Sequence, residues 1–391
     1  MSWLSHSWVA WGGLSAVVVA AIAILAVRRV SQLQHLSEVA FHPPTDWPSL
    51  SVVVPACNEE EHIEAALRSL LQSDYPDVEF IVVDDRSADE TGRIIDRVAS
   101  HDDRARAIHI DTIPEGWLGK VHALHRGYEA AGGDWILMTD ADIEYSPDAL
   151  RRCVAYAIEN EADHLACLPQ FRTSGFWHEV LALSYISLVL TGVHTESVED
   201  PNTDDYMGVG AFNLVRRSIL DSSDGLAPIR MELADDVGLG WLVQRHGGRT
   251  LLSFADDALD FEWYESAGGA IRGFEKNAFP ALGQFSFTVG LLRGAAPSLL
   301  LLGLAASIFA PLPAIRWLGI GALALFVASH ARVADLFDRP LLPALFVPVG
   351  LLMLTYAFFR SAFLCWRNQG IIWRGTTYSL DELRKGQVVE P

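Results

Sequence analysis

The sequence predicts an α/β domain on a mostly parallel, Rossmann-like sheet, with one apolar helix before it and three or four after it that are long enough to cross a bilayer. Three observations lead there. An uncharged run fills residues 8–27, about the 20 residues that a bilayer core requires. Short β-branched runs then alternate with helical patterns between Pro48 and about Tyr264, and a second apolar block extends from about Ala278 to Trp366. Composition agrees, with 50% hydrophobic and 20% charged residues in a chain of 391 and a mean hydropathy of +0.21. That is too apolar for a disordered chain and too unevenly apolar for a simple soluble one. The expected division is an anchor at 1–30, the α/β domain at 48–270, transmembrane or interfacial helices at 278–366 and a tail at 367–391.

The first apolar run is followed by Arg28 and Arg29. A cleavable leader would carry its positive charge ahead of the run, so the reading is an uncleaved anchor. Basic residues favour the cytoplasmic side, which puts the α/β domain in the cytoplasm and the Trp-bearing N-terminus outside, as in an inner or plasma membrane of bacterial type. In the second block the strongest stretches are 298–310, 318–329 and 341–358, separated by Pro311, Pro313, Arg316, Arg332, Asp335, Asp338 and Arg339. Three spans there would leave the tail outside, yet its Arg367, Arg374, Arg384 and Lys385 argue for the inside. Either residues 278–292 form a further short or re-entrant segment, or the charge bias is overridden.

The formal charge of −20, from 29 Lys+Arg against 49 Asp+Glu, opposes nucleic acid as a partner. Cys57, Cys153, Cys167 and Cys365 form no CxxC, which fits a reducing compartment and argues against zinc.

Within the α/β domain, strands are expected at 50–54, 79–83, 105–110 and 135–139, and helices from Ile63, over 91–99 and over 122–131. Ligands of such sheets bind at the carboxyl ends of the strands. Neither GxGxxG nor GxxxxGK[ST] follows a strand here; the residues that do are acidic. Asn58 and Glu59 follow the first strand, Asp84 and Asp85 the second, Asp140 and Asp142 the fourth. Clustered carboxylates cost free energy unless a cation or polar ligand sits among them. A DxD pair can ligate Mg²⁺ or Mn²⁺ and leave positions for a diphosphate. The competing reading is that these aspartates cap helices or fill turns.

The segments VVVPACNEEEHI (52–63), IVVDDRSADET (81–91), GWLGK (116–120), TDAD (139–142) and ELADDVGLGWLVQRHGG (232–248) occur in the order found in family 2 glycosyltransferases, which the middle domain resembles. GWLGK and the closing IIWRGTTY (371–378) are most similar to the membrane-bound subgroup that glycosylates lipids, of ceramide, carotenoid and hopanoid-associated types. The resemblance implies a GT-A fold, a nucleotide-sugar donor that is UDP-linked in our reading, a lipid acceptor, and a divalent cofactor, Mg²⁺ or Mn²⁺. Carried over residue by residue, it assigns Asn58, Glu59, Asp84, Asp85, Lys120 and Asp140 to the donor, with Lys120 serving diphosphate oxygens. Asp142, with Asp140, is the metal candidate. Asp236, of the pair Asp235-Asp236, is the general base that takes the acceptor's proton in an inverting displacement. Helix capping by that pair is the alternative.

Gly208 and Gly210 resemble an acceptor-side loop, or else mark a turn before a strand at 212–215. Where processive relatives carry QxxRW this chain has IRGFEKN (271–277); Lys276, assigned with Gly208 and Gly210 to the acceptor side, offers the charge without the Trp, which argues against a polysaccharide synthase. Trp117 is a packing residue or a stacking wall. His122, His125, His164 and His246 lack metal-ligand spacing. A processive synthase, a polyprenyl-phosphate glycosyltransferase and a noncatalytic subunit with a donor-binding fold are the rival readings.

Overall fold

The near-continuous apolar runs form the centre of the sheet: Leu50–Ala56 is buried along its whole length between two strand neighbours. The computed structural model describes residues 2–192 and 194–389. The strands are β1 (Gln34–His35), β2 (Leu50–Ala56), β3 (Val78–Asp85), β4 (Ala105–Ile110), β5 (Trp135–Met138), β6 (Glu144–Tyr145), β7 (His164–Arg172), β8 (Asn213–Arg216), β9 (Thr250–Glu262), β10 (Gly370–Trp373) and β11 (Thr376–Ser379). The α-helices are α1 (Ser2–Val30), α2 (Ile63–Leu71), α3 (Thr91–Ala99), α4 (Gly119–Ala130), α5 (Ala149–Glu159), α6 (Phe176–Gly192), α7 (Thr195–Val198), α8 (Arg217–Ser222), α9 (Asp235–Arg245), α10 (Ala267–Gly273), α11 (Ala278–Gly283), α12 (Phe287–Ile308), α13 (Pro313–Leu336), α14 (Val347–Asn368) and α15 (Leu380–Gly386).

Among the described residues the main sheet has the order β1-β9-β7-β8-β5-β2-β3-β4, with β6 pairing β9. The pairs around β2, β3, β4 and β5 are parallel, as the βαβ rhythm predicts, and so are β7 with β9 and β1 with β9. Two strands depart: the short β6 runs antiparallel to β9, and β8 runs antiparallel to both β5 and β7. The reversal of β8 has a consequence for the site. Asn213, the first residue of β8, stands opposite Met138, the last of β5, so the loop before β8 lands at the carboxyl end of the parallel strands.

The apolar helices flank this domain as expected. Among the described residues, four segments are long and apolar enough to cross a membrane: Ser7–Val30, Phe287–Ile308, Pro313–Leu336 and Leu342–Asn368. Residues 278–292, read as a further short or re-entrant segment, hold the short α11 and the first turns of α12. Small residues let α1, α12 and α13 approach closely. A Cβ on Gly12 would lie 2.9 Å from the Ser307 amide nitrogen, and one on Gly303 would lie 2.0 Å from the Ser15 hydroxyl.

A buried ion pair ties this helical part to the sheet domain. Arg339, just past α13, reaches Glu179 in the first turn of α6 (Nη2–Oε2 2.9 Å) and donates to the Phe171 carbonyl at 3.1 Å. Both residues are buried. Removing one partner leaves the other charge uncompensated, which typically costs about 3–5 kcal/mol. Arg339→Ala is therefore expected to lower the thermal unfolding temperature of the detergent-solubilised protein markedly; an unchanged transition would show that the pair does not hold the two parts together.

Candidate active site

The site is built where β2, β3 and β5 end, where α4 and α9 begin, and where the loop before β8 arrives. Its centre is Lys120, in the first turn of α4. The ammonium lies 2.7 Å from Asp140 Oδ1, after β5, and 2.9 Å from Asp235 Oδ2, which opens α9. Burial alone would lower the lysine's pKa, but Asp140, Asp235 and Asp236 together raise it well above its ordinary value. Asp140 responds in the opposite sense: burial would raise its carboxyl, but the Lys120 charge and hydrogen bond bring it below the usual range. Lys120 is thus already engaged by protein carboxylates, which its reading as a plain diphosphate ligand did not include.

Asp236 stands beside this group in a different state. Burial, with Asp235 adding like charge, pushes its carboxyl up to about 6, against the pull of Lys120. Its Oδ2 accepts from the Gly210 amide at 3.0 Å and its Oδ1 from the Val237 amide at 2.9 Å. The N-cap of α9 is Ala234, so neither aspartate is the cap, although both lie in the first turn where negative charge is favoured. Gly208 and Gly210 owe their identity to close approach. A Cβ on Gly208 would lie 1.8 Å from the Asp236 carbonyl oxygen, and one on Gly210 would lie 2.7 Å from Asp140 Oδ2. They form part of the wall that seats both carboxylates.

Asp142 faces the same cavity, and burial, with Asp140 and Glu59 adding like charge, pushes it up to about 7. Asp85 and Asp84 part company. They are the last two residues of β3, so their side chains leave on opposite faces of the sheet. Asp85 lines the cavity, paired with Arg86 (Oδ1–Nε 2.8 Å), whereas Asp84 meets His109 Nδ1 at 3.0 Å and accepts from the Ser87 amide at 3.2 Å. Asn58 is likewise occupied away from the cavity, its Oδ1 accepting from the Ala88 amide at 2.8 Å. Glu59 does line the cavity; burial raises its carboxyl in spite of the Arg374 guanidinium paired with it.

Arg374 belongs to a group that motif reading left without a role. β10 and β11 form a two-residue hairpin whose turn residues, Arg374 (φ 46°) and Gly375 (φ 79°), both have positive φ, as a type I′ turn requires. The Arg-Gly dipeptide between Ile-Ile-Trp and Thr-Thr-Tyr is the sequence signal that could have revealed it. The hairpin lines the cavity through Ile372, Trp373, Arg374 and Tyr378. Arg374 binds Glu59 and the Asn58 carbonyl, and the Tyr378 hydroxyl accepts from the Gly119 amide at 3.3 Å. Lys276 Nζ sits 4.2 Å from the centroid of the Trp373 ring. The ring beside Lys276 thus comes from almost a hundred residues downstream. Burial, with Lys120 nearby, lowers the Lys276 pKa to about 8.

Trp117 is a packing residue, its ring against His122 and His125. His164 is buried, its Nδ1 3.1 Å from the Thr250 hydroxyl and its Nε2 3.1 Å from Asn213 Oδ1.

Glu59, Asp85, Lys120, Asp140, Asp142, Gly208, Gly210, Asp235, Asp236 and Lys276 all line one open cavity of about 1690 Å³. Among the described residues no three His, Cys, Asp or Glu side chains stand together as a ready cage for a metal ion. The donor set fits a shared site better. Mg²⁺ and Mn²⁺ commonly take one or two carboxylates and complete their shell with phosphate oxygens and water. Asp142, with its raised proton affinity and its place on the cavity wall, and Asp140 beside it would be those carboxylates.

Residues 51–223 match the family model described as Glycosyl transferase family 2. The 4,4'-diaponeurosporenoate glycosyltransferase of Staphylococcus aureus strain bovine RF122 / ET3-1 is 28% identical over 192 residues, which is 44% of this chain and 49% of the relative. The protein of the same name from strain USA300 is 27% identical over 190 residues, again 44% and 49%. The chain thus spans about half the length of these curated relatives. Among solved structures, the mannosyltransferase PcManGT from Pyrobaculum calidifontis, in complex with GDP-Man and Mn²⁺, superposes with a TM-score of 0.58 at 18% identity, covering 90% of this chain and 99% of that one. The fold is GT-A, and residues 51–223 carry the similarity to glycosyl transferase family 2.

Proposed function

We propose that the chain is a membrane-anchored, inverting glycosyltransferase that moves a single sugar from a nucleotide donor, UDP-linked in our reading, to a lipid acceptor on the cytoplasmic face of the membrane. The observation that carries this reading is the shape and chemistry of the one cavity. Its floor holds the carboxylates and Lys120, and its far wall is apolar, made by Ile186, Val189 and Leu190 of α6 and by Phe337 at the end of α13. At about 1690 Å³ it exceeds an ordinary small-molecule pocket and has room for two substrates. The curated relatives are named as glycosyltransferases of 4,4'-diaponeurosporenoate, which supports a lipid class of acceptor.

Each residue then has a task. Glu59 and Asp85 accept from donor hydroxyl or imide N–H groups, and Arg374 and Lys276 offer positive charge to diphosphate oxygens. A divalent ion held by Asp142 and Asp140 would neutralise charge developing on the departing diphosphate. Asp236 takes the proton from the acceptor hydroxyl as that oxygen attacks the anomeric carbon from the face opposite the diphosphate, and the displacement inverts the centre. The Gly210 and Val237 amides aim the Asp236 carboxylate, and Lys120 anchors Asp235 and Asp140 on either side of it. With the apolar wall next to the membrane helices, a lipid acceptor meets the base by diffusing in two dimensions.

Asp236→Asn is expected to lower kcat by about 10²–10⁴, the usual contribution of a positioned base, while membrane insertion is kept. Release of nucleoside diphosphate in the presence of a lipid extract measures it, and undiminished release by the variant would remove Asp236 from its role. The pH dependence has a defined sign. A base is inactive when protonated, so kcat/KM should fall tenfold per pH unit as pH drops below about 6, the value to which Asp236 is raised, and level off above it. A profile still flat at pH 5 would contradict the assignment. Asp142→Asn is expected to abolish the response of the rate to added Mn²⁺ or Mg²⁺; a variant that titrates with metal like the parent would place the ion elsewhere.

A further inference from the structure

We propose that α14, although long and apolar enough to span, does not cross the bilayer but lies along the face that carries the catalytic domain, with its outer stripe in the acyl chains just below the headgroups. The inference rests on the membrane reading given above and assigns the lipid surface as the partner of one helix.

The argument is geometric. A 22-residue helix is about 33 Å long, so a spanning α14 would hold its two ends at opposite surfaces. Both ends instead rest on the same domain. At the start, the Phe346 ring packs on Phe176 and Trp177, with centroids 5.1 and 5.9 Å away, and a Cβ on Gly350 would lie 2.8 Å from the Val180 carbonyl oxygen. These partners belong to α6, which begins four residues after Arg172. Arg172 pairs with Glu144 and Asp260 at 2.8 and 2.7 Å, a charged group that belongs in water. Further along, Arg360 pairs with Glu275 at 2.6 Å, and the Ser361 hydroxyl donates to the Glu275 carbonyl and accepts from the Phe279 amide. At the far end the chain enters β10, where Ile371 joins Cys365, Tyr378 and Met231 in the core of the catalytic domain.

The surface of α14 fits such a berth. Val349, Leu352, Tyr356, Phe359, Phe363 and Trp366 are exposed and recur alternately three and four residues apart, one stripe along the whole helix. The opposite face, including Gly350, Ala357, Phe358, Ser361 and Cys365, is buried against the protein. An apolar stripe backed by protein and followed by exposed Arg367 suits a helix lying in the interface, its cations beside anionic headgroups. Crossings by α1, α12 and α13 alone make the span count odd. The tail with Arg367, Arg374, Arg384 and Lys385 then lies on the side of the catalytic domain, and the charge conflict in the sequence disappears.

Nitroxide labels on Leu352→Cys, Phe359→Cys and Trp366→Cys, in the full chain in phosphatidylcholine–phosphatidylglycerol bilayers, test this through collision with oxygen and with a nickel chelate. Equal shallow depths, about 5–10 Å below the headgroup boundary, are expected at all three. A deep Phe359 between two shallow ends would overturn the proposal. Should the labelled helix fail to fold, an impermeant maleimide applied to sealed vesicles of known orientation reads the topology from Asp103→Cys, Leu312→Cys and Lys385→Cys. Labelling of Lys385→Cys from the side that labels Asp103→Cys is expected, with Leu312→Cys opposite. Labelling of Lys385→Cys from the Leu312 side would overturn the proposal, whereas all three labelling from one side would overturn the membrane reading itself.

Discussion

The arrangement depends on one half-buried ammonium. Lys120 binds Asp140 and Asp235 directly and lies close enough to Asp236 to hold down its proton affinity. Four charged groups in a partly dry cleft are tolerable only if their charges are matched, since an unpaired buried carboxylate costs several kcal/mol. The lysine therefore decides which carboxylates are ionised. Asp140, in direct contact with it, is lowered; Asp142, raised by burial and then by the like charges of Asp140 and Glu59, stands at about 7. A cluster of identical side chains is thereby sorted into a locked anion, a group ready to exchange its proton for a cation, and a carboxylate with the affinity of a useful base.

The backbone serves that sorting. Parallel strands bring Glu59, Asp85, Asp140 and Asp142 to one edge, and the reversed β8 brings the Gly208–Gly210 loop there from the other direction. A sheet of wholly parallel strands would have sent that loop to the opposite edge. The membrane part is joined to the same place twice, through α6 with its buried Arg339–Glu179 pair and through the hairpin that follows α14. The cleft is thus attached at two places to the apolar helices.

Much of this was legible in the sequence, for identifiable reasons. The strands and the carboxylates after them follow from a local pattern, apolar runs ended by acidic turns, and β4 and α3 fall at the residues that the pattern indicated. The opposite orientations of Asp84 and Asp85 were also accessible, because alternation along a strand separates any adjacent pair. The partners of Lys120 were not, since Asp235 lies 115 positions away and ion pairing leaves no periodic trace. The same holds for Trp373 over Lys276 and for Arg374 against Glu59: each half is visible in the chain, the contact only in the fold. Hydropathy marks α14 as readily as α13, because it registers apolar length and is blind to what holds the two ends.

The central claim is that the acidic cleft passes one sugar to a molecule drawn from the bilayer. The most direct measurement is mass spectrometry of the lipid fraction after the purified protein, in native lipid with Mn²⁺, is given a panel of nucleotide sugars, with a parallel reaction in EDTA. The account predicts one lipid species heavier by a single glycosyl unit, formed from one donor and lost in EDTA. A ladder of repeated increments, or nucleotide-sugar binding with no modified lipid from any donor, would contradict it.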